Sequence, residues 1–144
     1  MSILSKQKVK LNAKAQDKFE AIRMAGQLLV DAGHVPAEYV DKMIEREQVS
    51  STYIGGGLAM PHGTNESKPL IRSTGMSVLV FPEGVEFGDD KAYLVIGLAA
   101  VGEEHLDILT SVAMLVSEED DMRRILQAST EEELLAIFEE GMGE

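Results

Sequence analysis

Between Asp17 and Gly33, the residues Phe19, Ile22, Ala25, Leu29 and Ala32 recur at three- and four-residue steps, which gathers them on one face of a helix. Asp17 suits the amino-terminal cap and Gly33 the exit. A second helix is expected with Pro36 in its first turn, followed by Tyr39, Val40, Met43, Ile44 and Glu47. The period then changes. Three short apolar runs, at 53–60, 75–81 and 92–101, are separated by glycine, proline and polar residues. Residues 76–81 and 93–100 are apolar without alternation, the mark of strands covered on both faces.

Helical spacing returns with Leu106, Leu109, Val112, Ala113 and Val116, opened by Glu103-Glu104 at the positive end of the helix dipole. Met122, Ile125 and Leu126 continue it. Thr130 with Glu133 forms a capping box ahead of Leu134, Leu135, Ile137 and Phe138. Helices, then strands, then helices predict an α/β class. We expect one domain over 1–144, a mixed and mostly buried β-sheet flanked by helices on both faces.

Charge sharpens this picture. The chain has 144 residues and a net charge of −12, yet residues 1–102 hold 12 acids against 11 bases, and residues 103–144 hold 13 against two. Such a chain has no long-range attraction to phosphate backbones or anionic lipid, so we expect no nucleic-acid partner and no membrane insertion. Apolar stretches are too short to span a bilayer, and the lysines following Met1-Ser2-Ile3-Leu4 do not form a signal peptide. Cysteine is absent, which excludes thiol chemistry and disulfide or cysteine–metal scaffolds and accords with a cytoplasmic location.

Three histidines carry the candidate chemistry. His34 follows Gly33 at a helix end, where it can meet the last carbonyls, and is assigned a structural role. His62 closes Gly55-Gly56-Gly57-Leu58-Ala59-Met60-Pro61-His62-Gly63, which sets an imidazole on a constrained turn at a strand mouth. Local physics alone also allows an incidental histidine in a hairpin there. No Gly-Lys-Ser/Thr follows the glycines, so they are not a P-loop. His105 stands in a first helical turn, where the dipole favours a neutral ring, although an exposed histidine of no function fits as well. The three have no metal-ligand spacing, and we expect no metal site.

Taken together, Arg46-Glu47, Ser51-Thr52-Tyr53-Ile54-Gly55-Gly56-Gly57-Leu58-Ala59-Met60-Pro61-His62-Gly63-Thr64, the Pro-x-Gly-Val-x-Phe stretch within 81–87 and Glu104-His105-Leu106 resemble one known pattern. They are similar in order and spacing to the mannitol/fructose-type enzyme IIA domains of the bacterial phosphoenolpyruvate-dependent sugar phosphotransferase system, most of all to free-standing mannitol-specific members. Gly56 departs from the polar residue that mannitol relatives often carry between the glycines. The resemblance implies a cytoplasmic phosphocarrier with a phosphohistidine intermediate. His62 would take a phosphoryl group through Nε2 from the histidine-containing phosphocarrier protein HPr. It would pass the group to a cysteine on the mannitol-type IIB domain of the membrane permease IIBC. His105 would act as a supporting hydrogen-bond donor and Arg46 as the phosphoryl counter-charge, with no cofactor.

A regulatory nitrogen-type IIA protein, or a fructose-specific IIA domain, would keep His62 too, so the motif does not separate these readings. A metal hydrolase using the histidines finds no ligand spacing. For docking, Leu58, Ala59, Met60, Pro61 and Gly63 are expected to surround His62 with a small apolar patch, ringed by the acids after residue 102.

Overall fold

The computed structural model describes residues 3–142; the first two residues of the amino-terminal stretch and the last two of the chain lie outside the described residues. The first helix, α1 (Lys18–Asp31), begins where its cap stands: the Asp17 carboxylate accepts the Glu20 amide at 2.9 Å. Gly33, at φ +85°, turns the chain away after it. Pro36 lies ahead of α2 (Glu38–Val49) instead of in its first turn. Its carbonyl accepts the Tyr39 amide, closing a tight turn that leads into the helix.

The apolar runs supply a five-stranded sheet. Its strands are β1 (Val9–Lys10), β2 (Tyr53–Gly55), β3 (Leu58–Ala59), β4 (Gly75–Phe87) and β5 (Asp90–Ala99), ordered β1-β4-β5-β3-β2. β1 pairs parallel with β4 and β3 parallel with β5, while β4–β5 and β2–β3 are antiparallel. The sheet is mixed, as expected. β4 runs well past residue 81 despite Pro82, because its register slips between Val80 and Val85 and so accommodates the proline and Gly84 at φ +78°.

Both faces of the sheet are covered, which explains the unbroken apolar runs. Met76, Val78, Val80, Leu94, Ile96 and Leu98 point to one side. Leu79, Phe81, Val95 and Ala99 point to the other, onto Ile22, Ala25, Leu29 and Met43 of α1 and α2. α1 lies close: Ser77 Oγ donates to the Ala25 carbonyl at 2.8 Å, and a Cβ on Gly97 would meet that serine oxygen at 2.6 Å. The first face is closed by α3 (Glu104–Ser117), α4 (Glu119–Gln127) and α5 (Glu131–Gly141). Thr130 caps α5 by accepting the Glu133 amide at 3.1 Å. One helical assignment needs correcting. Leu106 is 67% exposed, and the buried stripe of α3 is Ile108, Val112 and Leu115, because the helix starts at Glu104 and turns Leu106 outward. No described helix is long and apolar enough to cross a membrane.

Candidate functional site

β3 and β5 run parallel and finish side by side, so the segments leaving them meet at the carboxyl ends of the strands, where open α/β sheets commonly bind ligands. After β3, the Pro61 carbonyl accepts the Leu98 amide at 2.9 Å, and His62 extends the pairing as a parallel bridge to Leu98. After β5, Gly102, at φ +62°, turns the chain into α3 and delivers His105 in its first turn. The two imidazoles, distant in sequence, stand edge to face with ring centroids 4.8 Å apart.

The backbone around His62 is fixed from beneath by Tyr39. Its hydroxyl accepts the Gly63 amide at 2.9 Å and donates to the Leu98 carbonyl at 3.2 Å, tying the turn to both α2 and β5. Residue 63 can only be glycine at this spacing, since a Cβ would lie 2.6 Å from the Tyr39 ring and from Ser67 Oγ. The ring of His62 is oriented by a single bond, 2.9 Å from Nδ1 to the Met60 carbonyl. A carbonyl can only accept, so Nδ1 carries the proton and the neutral ring keeps its lone pair on Nε2.

Electrostatics keep both rings neutral. Burial pushes the His62 pKa below the usual 6.5; the Met60 carbonyl opposes this, and the Arg46 charge adds to it. His105 is pushed down to about 4 by burial first, then by His62, Lys68 and Arg46. A proton on either ring would meet the other ring and two cations.

Arg46, in the last turn of α2, shares this cavity of about 380 Å³ with His62, His105, Thr64 and Lys68. Its Nη1 donates to the Ser50 carbonyl at 2.8 Å and to Ser50 Oγ at 3.0 Å, so the guanidinium is held by neutral acceptors, not by a carboxylate. Thr64 Oγ1 is buried and has no hydrogen-bond partner among the described residues. A neutral nucleophilic nitrogen, two cations and a spare hydroxyl around one small space are the parts needed to receive a tetrahedral anion.

Of the three histidines, His34 stands apart. Its ring is buried and accepts Lys8 Nζ on Nε2 at 2.6 Å, while Nδ1 faces Ser73 Oγ at 2.9 Å. The helix-end carbonyl contact expected for it is made by its backbone amide, on Leu29. Burial, then the Lys8 charge, lower its pKa. Tyr39, Thr64 and Lys68 escaped the sequence reading, because each is an ordinary helix or loop residue until the fold folds back over His62.

The apolar patch expected around His62 is absent. Leu58, Ala59, Met60 and Pro61 are buried beneath the sheet ends, because β3 is an inner strand. The exposed apolar groups near the site are Val49, Val101 and Leu106. Acids also surround the site less than expected: Glu103 and Asp107 adjoin His105, whereas Glu132 pairs with Lys6 and Glu131 stands beside it, near β1 at the opposite edge of the sheet. Among the described residues no three histidine, aspartate or glutamate side chains stand together as metal ligands.

Comparison with known proteins adds to this geometry. The family described as phosphoenolpyruvate-dependent sugar phosphotransferase system, EIIA 2, matches residues 2–141. A mannitol-specific phosphotransferase enzyme IIA component of Bacillus subtilis is 46% identical over 141 residues, 97% of this chain and 99% of that protein. The same component of Halalkalibacterium halodurans is 48% identical over 139 residues, 96% of each. Among solved structures, the complex of enzyme IIAMTL and phosphorylated enzyme IIBMTL from Escherichia coli matches with a TM-score of 0.89 at 40% identity. That match covers 94% of this chain and 96% of the other. The crystal structure of IIA mannitol from Escherichia coli gives 0.87 at the same identity, over 94% of this chain and 98% of that one.

Proposed function

The chain belongs to the EIIA 2 family of the phosphoenolpyruvate-dependent sugar phosphotransferase system, and on that premise we propose that His62 is the residue through which it carries the phosphoryl group. The protein is a phosphotransferase that works between HPr and a mannitol-type IIB domain. The observation that carries the assignment is the His62 tautomer: with Nδ1–H spent on the Met60 carbonyl, Nε2 keeps a nucleophilic lone pair on a ring that lines the cavity. Nε2 attacks the phosphorus of phospho-HPr, and the bond to the donor imidazole breaks with its electron pair returning to that ring. The same exchange in reverse sense hands the group to the IIB cysteine thiolate.

Arg46 and Lys68 supply positive charge for the phosphoryl oxygens, and Thr64 offers its hydroxyl. His105, kept by its low pKa a neutral ring with one N–H, would donate one hydrogen bond to a phosphoryl oxygen. Mannitol is favoured over fructose or regulatory readings by the 46–48% identity to mannitol-specific components, against 26% to a nitrogen regulatory protein IIA-Ntr from Neisseria meningitidis. A carrier between these two partners works on the cytoplasmic side of the membrane.

The test is reconstitution with phosphoenolpyruvate, enzyme I and HPr, followed by IIB domains of different sugar specificity. Label is expected on wild type and not on a folded His62→Gln protein, with the mannitol-type IIB accepting fastest. Wild-type levels of label on His62→Gln would overturn the site.

A further inference from the structure

We propose that the buried Glu47 carboxylate is a positioning residue for His62, acting through Thr52 and Met60 to hold the ring with its Nε2 lone pair toward the cavity. The functional consequence rests on the phosphocarrier reading; the geometry does not.

The chain of bonds is continuous. Glu47, with no exposed side-chain surface, accepts the Thr52 amide at 2.9 Å and the Thr52 hydroxyl at 2.6 Å on the same oxygen, Oε1. Its other oxygen pairs with Lys18 Nζ at 3.2 Å. The Thr52 carbonyl accepts the Met60 amide at 3.0 Å, and the Met60 carbonyl accepts His62 Nδ1–H at 2.9 Å. Thr52 and Met60 flank β2 and β3, strands of three and two residues. So short a ladder offers few bonds to fix the carbonyl on which the His62 ring depends.

A buried carboxylate is an expensive way to fill space, and apolar residues of similar volume often serve stability as well or better. Here the ion is fully partnered and faces the one segment that orients the nucleophile. Its charge has a second effect. As Nε2 forms its bond to phosphorus, the imidazole becomes more positive, and a carboxylate near enough to act on the ring offsets that charge. Among the charged groups acting on His62, Arg46 and Lys68 disfavour the cationic ring and Glu47 favours it. The cations would serve the phosphoryl oxygens; Glu47 would serve the ring.

The test uses Glu47→Gln, which keeps an acceptor oxygen, with Thr52→Val and Thr52→Ser as a matched pair in case the glutamine protein folds poorly. Ring nitrogen shifts of His62, read by NMR on the unphosphorylated protein across pH 5 to 8, report the tautomer and its titration whether or not any phosphoryl group is transferred. Phosphoryl acceptance from phospho-HPr is measured on the same samples. Glu47→Gln is expected to lower the His62 pKa and slow acceptance by roughly ten- to a hundredfold. Thr52→Val should increase the share of the Nε2–H tautomer, and Thr52→Ser should restore both readouts. Wild-type His62 shifts and titration in folded Glu47→Gln and Thr52→Val would overturn the proposal, as would loss of activity that only tracks the folded fraction. Failure of wild type to be labelled at His62 would instead sink the phosphocarrier reading and leave the positioning result standing.

Discussion

At the scale of single residues, the site works by keeping two histidines uncharged next to cations. His62 and His105 both titrate below the usual 6.5, so each is neutral at pH 7. Phosphoryl acceptance should therefore stay flat from about pH 8 down to the ordinary histidine range near 6.5, and fall only below it as His62 takes up a proton. A rate profile against pH that drops between 8 and 7 would contradict this. His105→Ala should remain a substrate for phospho-HPr but transfer onward up to ~10²-fold more slowly, the effect of losing one hydrogen-bond donor. Peptide mapping of phosphorylated wild type checks the division of roles, because a phosphoryl group on His105 would reverse it. His62 drew notice in the sequence through its glycine and proline neighbours, and its proposed role came from the wider pattern those residues share with the family. Tyr39 was not, for its hydroxyl reaches Gly63 only after α2 has packed beneath the turn.

Elements set how firmly the site is held. Gly63→Ala drives a Cβ into the Tyr39 ring and Ser67, inside a segment already bonded to β5. We expect a loss of about 1–3 kcal/mol from overpacking, read as a shifted denaturation midpoint with an unchanged slope. Acceptance should fall further than the folded fraction, since the turn that aims His62 moves. Legibility differs by element for physical reasons. α1 and α5 announced themselves through caps and periodic apolar faces, and β4 and β5 through runs covered on both sides. β1 spans two residues, too few to show a period, and β3 lies within the apolar run 53–60, whose sequence does not say that it is an inner strand. Small, uncharged side chains at Leu58 to Pro61 fit a docking patch as well as a core, and the structure puts them in the core. Helix α3 was shifted for a related reason: Leu106 is apolar at the right spacing, yet it stands outside the face that meets the sheet.

For the whole molecule, two predictions follow from charge. His34, His62 and His105 all bind protons less readily folded than unfolded, so the unfolded chain gains protons first as pH falls. Their contribution is complete above about 6.5 and is lost on going down toward 4, where loss of the lowered Glu47 carboxylate's contribution adds to it. Urea midpoints should hold steady from pH 8 to 7 and decline between 6 and 4; a midpoint that rises there would contradict the assignment. The second concerns encounter. The cavity mixes Glu45 and Glu66 with Arg46 and Lys68, and of the acids after residue 102, Glu103 and Asp107 at the start of α3 stand beside His105. Association with a basic donor surface should slow with added salt by no more than about tenfold between 0.05 and 0.5 M, with dissociation nearly constant. Stopped-flow association rates indifferent to salt would show that these acids take no part.

The parallel pairing of β3 with β5, Leu58 against Leu94 and Ala59 against Val95, carries a consequence for the chain as it is made. Neither histidine has its neighbour until β5 has emerged, paired and turned through Gly102 into α3. At about 5–20 residues per second, several seconds separate the synthesis of residue 62 from that of residue 105. During that interval the imidazole lacks both its aromatic companion and the Leu98 backbone that braces its turn. If His62 is the phosphoryl acceptor, nascent and truncated chains should therefore be poor recipients until the carboxyl-terminal half is in place.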